Sequence, residues 1–190
     1  RGDVVIVAID DTSVAALGIW PWSRTLHAQL IDRISQAQPK AIGLNMLLLE
    51  TSGSDQIDQT LADSLRRSGK VVLPMSMQNI NDQVTTVEPM PLFADAAAAL
   101  GHVHLDIDDD GVARATYKHE GQSGHLWPHV ALAMQQLVQN STVAKTDHEE
   151  YSSTQTEVQA ADWQRKDRSI IAFAGAAQHF PTVSYVDALE

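Results

Sequence analysis

Three apolar runs of strand length alternate with amphipathic stretches in the first half of this chain, and that alternation restricts its fold more than any other feature. Residues 4–9, 40–49 and 71–77 are rich in Val, Ile, Leu and Met, the pattern of strands covered on both faces. Between them, Leu26, Leu30, Ile31 and Ile34 recur at helical spacing in residues 24–38, ahead of Pro39. Ile57, Leu61 and Leu65 form a second stripe in residues 55–68, which Gly69 stops. Strand–helix–strand–helix–strand order implies parallel pairing through right-handed crossovers. The expected fold class is therefore α/β, with a mostly parallel central sheet and helices on both faces. Residues 101–118 add a β-hairpin around the acidic turn Asp108-Asp109-Asp110-Gly111.

The second half is expected to contain a loop over residues 79–89 and a short helix over 91–100. A helix over 128–139, a strand over 169–174 and a final helical turn over 183–189 follow. Residues 140–168 are polar and short of large aliphatics, and read as a surface insertion within a single domain spanning 1–190. At 190 residues, one domain is the default.

Composition removes several functional classes. With 13 Lys+Arg against 24 Asp+Glu, the formal charge is −11, which disfavours nucleic acid and anionic bilayer surfaces as partners. The chain has no Cys, so thiol catalysis, disulfides and thiolate metal sites are excluded. No apolar run approaches the ~20 residues of a bilayer span, and no signal peptide is evident; opening at Arg1 without Met suggests a piece of something longer. No nucleophile elbow, phosphate-cradling glycine loop or HExxH motif occurs, so the domain is expected not to be an enzyme and to need no cofactor.

Several residues can carry chemistry. Asp10 and Asp11 stand at the carboxyl end of the first strand, where open parallel sheets bind ligands, with Arg24 as a counter-charge. Helix capping and a local ion pair explain the same residues, and that structural reading is preferred. Trp20-Pro21-Trp22 holds two indoles on a stiff loop; these are read as structural anchors in preference to a ligand slot. Arg114, beside the acidic turn, can pair with Asp108 or Asp110 or fork onto a carboxylate ligand. His102, His104 and Asp106 alternate as transition-metal donors would, yet a regular strand spaces such residues by ~6–7 Å, too far to grip one ion. A solvated strand face is the preferred reading, and no metal is assigned.

The segments VVIVAIDDTSVAALGIWPWSR, HAQLIDRI, PKAIGLNMLLLE, GHVHLDIDDDGVARATY, WPHVALAM and FAGAAQHFPTVSYVDAL resemble the CHASE2 domains, sensory modules found outside the membrane in bacterial receptors. The likeness runs from residue 4 to residue 189, and the IDD…WPW-R and D-DG-x-x-R elements are its specific parts. Asn45 stands where such domains usually carry an acid. The resemblance implies a ligand- or stress-sensing domain in the periplasm or outside the cell, part of a bacterial inner-membrane protein. Transmembrane helices would flank it, and a histidine kinase, a nucleotide or diguanylate cyclase, or a Ser/Thr kinase would lie beyond them. It favours the ligand-binding reading of Arg114 and draws in Asn45; with Asp10, Asp11 and Arg24 these are the candidate ligand-binding residues for an undefined small molecule or envelope component. A homodimer of this chain is a further partner expectation. The alternatives are a protein-interaction or dimerisation module without a small-molecule ligand and, more distantly, a metal-dependent hydrolase using Asp10, Asp11, His102, His104 and Asp106.

Overall fold

Asp10 begins the first helix because its carboxylate accepts from the Ser13 amide at 2.9 Å and the Ser13 hydroxyl at 2.6 Å, occupying donors that a helix start leaves unpaired. This computed structural model describes residues 4–81, 83–122, 124–139, 163–176 and 179–190. Its elements run β1 (Ile6–Ala8), α1 (Asp11–Leu17), α2 (Arg24–Gln36), β2 (Ile42–Gly43), α3 (Asp55–Ser68), β3 (Val71–Ile80), β4 (Gln83–Val87) and α4 (Pro91–Ala94). There follow β5 (Ala99–His102), β6 (Asp106–Ile107), β7 (Ala113–Gln122), β8 (His125–Pro128), α5 (Val130–Val138), β9 (Gln164–Ile170), β10 (Thr182–Ser184) and α6 (Tyr185–Leu189). The class is mixed α/β with parallel strand pairs, as the sequence implies. Among the described residues, no helix is long and apolar enough to cross a membrane.

The chain forms two compact units, each assembled from separated segments. The first comprises Arg1–Pro39, Thr51–Ser68 and Ala172–Glu190. In it β1 and β10 pair in parallel, Ile6 opposite Thr182 and Ala8 opposite Ser184. Gly18, at φ 90°, ends α1 in a conformation that side chains resist, and Ser23 caps α2. Acids in the first turn of α3 and Arg66 and Arg67 in its last suit the helix dipole. Trp22, Leu30 and Tyr185 form a buried cluster. Asp58 is also buried, at 2% exposure. Burial alone would raise its pKa, but hydrogen bonds from Ser52, Arg24 and Thr51 outweigh that and hold it at about 2. Its ion pair with Arg24 spans 2.5 Å.

The second unit comprises Lys40–Glu50 and Gly69–Ile171. One of its sheets centres on β3, paired in parallel with β2 and β5 and antiparallel with β4. The other centres on β7, paired antiparallel with β6, β8 and β9. Val71, Val72, Leu73, Met75 and Phe93 are fully buried here, completing a core under α4 and α5.

The structure differs from the sequence reading at several points. The strands fall into three sheets and not one continuous sheet. Residues 79–89 are not a loop: β3 continues into a hairpin with β4, whose Val84 is buried. The helix at 91–100 stops at Ala94, and Ala99 already begins β5. The acidic turn does join two strands, but the first arm is only β6, while β5 pairs with β3 in the other sheet. The strand expected over 169–174 is β9, which ends at Ile170 and begins at Gln164, inside the stretch read as an insertion, because β7 offers it a backbone edge that hydropathy does not report. Residues 140–162 of that stretch lie outside the described residues.

Candidate functional site

The structure disperses the sequence-derived ligand residues between the two units. Asp10, Asp11 and Arg24 belong to the first, Asn45 and Arg114 to the second. Asp10 is engaged in structure: besides capping α1, it accepts from the Ser184 hydroxyl at the start of α6. The Ser13 hydroxyl, Ser184 and the Ser13 amide hold its pKa at about 2, leaving a carboxylate whose oxygens already have donors. Asp11 is exposed in the first turn of α1. Asn45 is exposed beyond β2. Arg114 forks onto Asp108 at 2.7 Å and onto both oxygens of Asp110 at 2.8 Å. These bonds push the Arg114 pKa up and the Asp110 pKa down, and the cluster stands in solvent.

The indole loop divides its labour. Trp22 is buried at 7% exposure, and its Nε1 donates to the Gly18 carbonyl at 2.7 Å. Trp20 is 39% exposed, so it is the lesser anchor, lying edge-on to Trp22 with ring centres 5.4 Å apart. Pro21 joins them through a cis peptide bond. Nearby, His27 is buried with its Nδ1 2.7 Å from the Tyr185 hydroxyl. Burial first, and the Arg24 charge second, lower its pKa to about 4.

A different cluster carries the concentrated chemistry, and it lies wholly in the second unit. His102 ends β5, His104 sits in the link to β6, and Glu120 lies in β7. Because the chain leaves the strand after His102, the strand spacing that argued against convergence does not apply. The donor atoms of these three residues lie within 4.8 Å of one another. His102 and Glu120 are completely buried, while the His104 side chain is 20% exposed. Asp106, the third donor suggested by the alternation, instead pairs with Arg168 at 2.9 Å.

Polar contacts orient the group. The Met77 amide donates to His104 Nε2 at 3.2 Å, and the Ser76 hydroxyl is 2.8 Å from the same atom. Nε2 is therefore an acceptor, which leaves the ring proton on Nδ1 to donate to Glu120 Oε2 at 2.5 Å. His102 Nδ1 stands 3.5 Å from that same oxygen. Arg165, opposite Glu120 in the β7–β9 register, pairs with Oε1, and its guanidinium stacks on Trp163 at 4.6 Å. Burial would raise the Glu120 pKa, but the His104 hydrogen bond and the nearby Arg165 charge lower it on balance. Burial also lowers the His102 pKa to about 4, against the pull of Glu120, so that imidazole is neutral at physiological pH.

Neither ring nitrogen of His102 makes a hydrogen bond of good geometry. A backbone group of Tyr117 lies close enough to favour the protonated ring slightly. His129 packs its ring against His102 with centres 5.1 Å apart, while its Nδ1 caps α5. Two imidazoles and one carboxylate converging in a buried niche can coordinate an ion. The row Ser76–His104–Glu120 can also relay a proton. Sequence reasoning missed Glu120, which lies beyond the hairpin expected over 101–118. The run Tyr117-Lys118-His119-Glu120 is polar throughout and carries no hydropathy signal of a buried strand position.

The comparisons are consistent with the chain-long motif likeness. No curated protein and no solved structure matches the chain significantly. The CHASE2 domain profile matches residues 1–190, which is the whole chain. The family is one of extracytoplasmic sensory domains, without a catalytic role of its own. On that match, this chain belongs to the CHASE2 family.

Proposed function

We propose that this chain is the sensing portion of a bacterial transmembrane receptor and that it controls a cytoplasmic output module. That module would be a histidine kinase, a nucleotide or diguanylate cyclase, or a Ser/Thr kinase. The observation that carries this reading is the family match over all 190 residues. Signalling of this kind requires a ligand or stress to favour one of two states of the domain, with no turnover. The pairing of β1 with β10 supports the reading, because it ties the first described strand to the last in a single element. Arg114, exposed in the second unit, is proposed to meet a small polar ligand, an incoming carboxylate exchanging with Asp108 or Asp110 on its fork; Asp11, exposed in the first unit, is proposed separately as a polar contact residue.

Reporter fusions on either side of this segment in the full protein test the topology. An extracytoplasmic position flanked by spans is expected; a cytoplasmic position, or a parent chain without spans, overturns the proposal. In the full receptor, Arg114→Ala and Asp11→Ala should leave folding intact and blunt the output response.

The dimerisation alternative is favoured by one observation. Val4, Val5, Ile6, Ile9 and Val183, on and beside the β1–β10 pair, are each more than a third exposed, an apolar strip that a second copy can cover. Sedimentation of the chain and of a Val5→Lys variant distinguishes the two: loss of a dimer in the variant supports this alternative, and a monomer in both eliminates it.

A further inference from the structure

We propose that His102, His104 and Glu120 form a binding site for one divalent transition-metal ion, with Zn2+ best suited to its donors. The site goes beyond the receptor reading and does not depend on it. Buried polar atoms in folded proteins are almost always paired, and an exception calls for a water, an ion or a catalytic role. His102 is such an exception: its side chain is fully buried, and neither ring nitrogen makes a hydrogen bond of good geometry, the Tyr117 backbone being its one near neighbour of that kind. It sits beside a carboxylate oxygen that a second imidazole also faces. An ion bound between these groups gives His102 the partner it lacks.

The distances fit. Zinc–ligand bonds of ~2.0–2.1 Å in a tetrahedron set neighbouring donors about 3.3 Å apart. His102 Nδ1 and Glu120 Oε2 are already 3.5 Å apart. His104 Nδ1 and Glu120 Oε2, now hydrogen-bonded at 2.5 Å, need to separate by less than 1 Å, roughly, on the same geometry. For His104 to ligate through Nδ1, its proton moves to Nε2. No proton is released in that exchange. The Ser76 hydroxyl, 2.8 Å away, accepts the relocated N–H, and the Met77 amide gives up its longer contact of 3.2 Å. Ser76 is thus a positioning residue of the kind that orients ligating imidazoles. Arg165 holds the other oxygen of Glu120 and keeps Oε2 turned inward.

Donor chemistry selects the ion. Two imidazoles with one carboxylate match the three-ligand sets that bind Zn2+ and leave a fourth position open. Mg2+ and Ca2+ prefer all-oxygen shells, which this group does not offer. The chain's net charge of −11 draws cations toward it, and the partly exposed His104 is on the route in.

The test uses the chain stripped by a chelator and titrated with ZnCl2 against a chromophoric competitor, and separately with CoCl2. One Zn2+ per chain is expected, with at least tenfold weaker binding in His102→Gln and Glu120→Gln. Ser76→Ala should weaken binding 10–100-fold, as outer-shell changes do. His179→Ala, an exposed histidine in the first unit, should change nothing. Co2+ should produce the intense visible bands of a four-coordinate ion. No saturable binding, or equal affinity in folded His102→Gln and Glu120→Gln, overturns the proposal. If those variants do not fold, the unmutated chain decides: a weak six-coordinate Co2+ spectrum overturns it. Chelator-insensitive hydrolysis of an activated ester, abolished by Ser76→Ala, would assign the group to a Ser–His–Glu relay and also overturn it.

Discussion

Two adjacent aromatic anchors in one loop differ in what they hold. Trp22 is buried, donates a hydrogen bond and packs on Tyr185 with ring centres 4.8 Å apart, so Trp22→Ala should cost about 3 kcal/mol or more. Trp20, more than a third exposed, should cost ~1 kcal/mol on the same change, in proportion to the apolar area it hides. Chemical denaturation of both variants checks the ranking; equal losses would contradict it. His27 supplies a pH dependence. Its folded-state pKa of about 4 lies below the ordinary value of 6.5, so the unfolded chain binds the extra proton. Stability is then complete above pH ~6.5 and declines as pH falls through 6.5 toward 4. The melting temperature should drop by roughly 5 °C between pH 7.5 and 5. His102 contributes with the same sign, so His27→Phe separates the two. It should flatten the profile, and a parallel profile in that variant would assign the effect elsewhere.

At the scale of elements, close approach decides the geometry of the histidine cluster. Gly101 in β5 is buried, and a Cβ there would lie 2.6 Å from Val130 Cα and 2.8 Å from Val130 N. That absence of a side chain lets the start of α5 lie on β5, with a bridge between His102 and His129, and brings their rings together. Gly101→Ala should therefore destabilise by about 1–3 kcal/mol through overpacking and weaken Zn2+ binding, measured by denaturation and by the competitor titration. The helices were the legible elements. α2 and α3 announce themselves by apolar stripes, since a helix satisfies its backbone locally. Strand partners are not local, and the errors follow from that. β9 is polar and owes its existence to the edge of β7, while β4 is a short β-branched run, QVTTV, whose pairing with β3 is not visible locally. β2 shrinks to two residues because little of its run finds a partner. The site was half legible: His102 and His104 stood out by type, but their convergence depends on where β5 ends, and Glu120 depends on how far β7 continues.

For the molecule as a whole, the chain passes four times between its two units, at residues 39–40, 50–51, 68–69 and 171–172. Neither unit is a continuous stretch. Removing Ala172–Glu190 deletes β10 and α6, stripping β1 of its described partner and Trp22 and His27 of Tyr185. The truncated chain should lose the cooperative tertiary signal of the first unit, seen as collapsed amide dispersion in an NMR spectrum. A well-dispersed spectrum with unchanged Trp22 indole chemical shift would show that unit to be independent of its last segment.

The side-by-side arrangement of β1 and β10 has a mechanical consequence. Both strands run in the same direction, so a tug on the leading end of one against the trailing end of the other loads their shared hydrogen bonds in shear, all at once, instead of peeling them singly. A short ribbon loaded that way yields abruptly, and until it does a displacement of one strand is carried straight to the other.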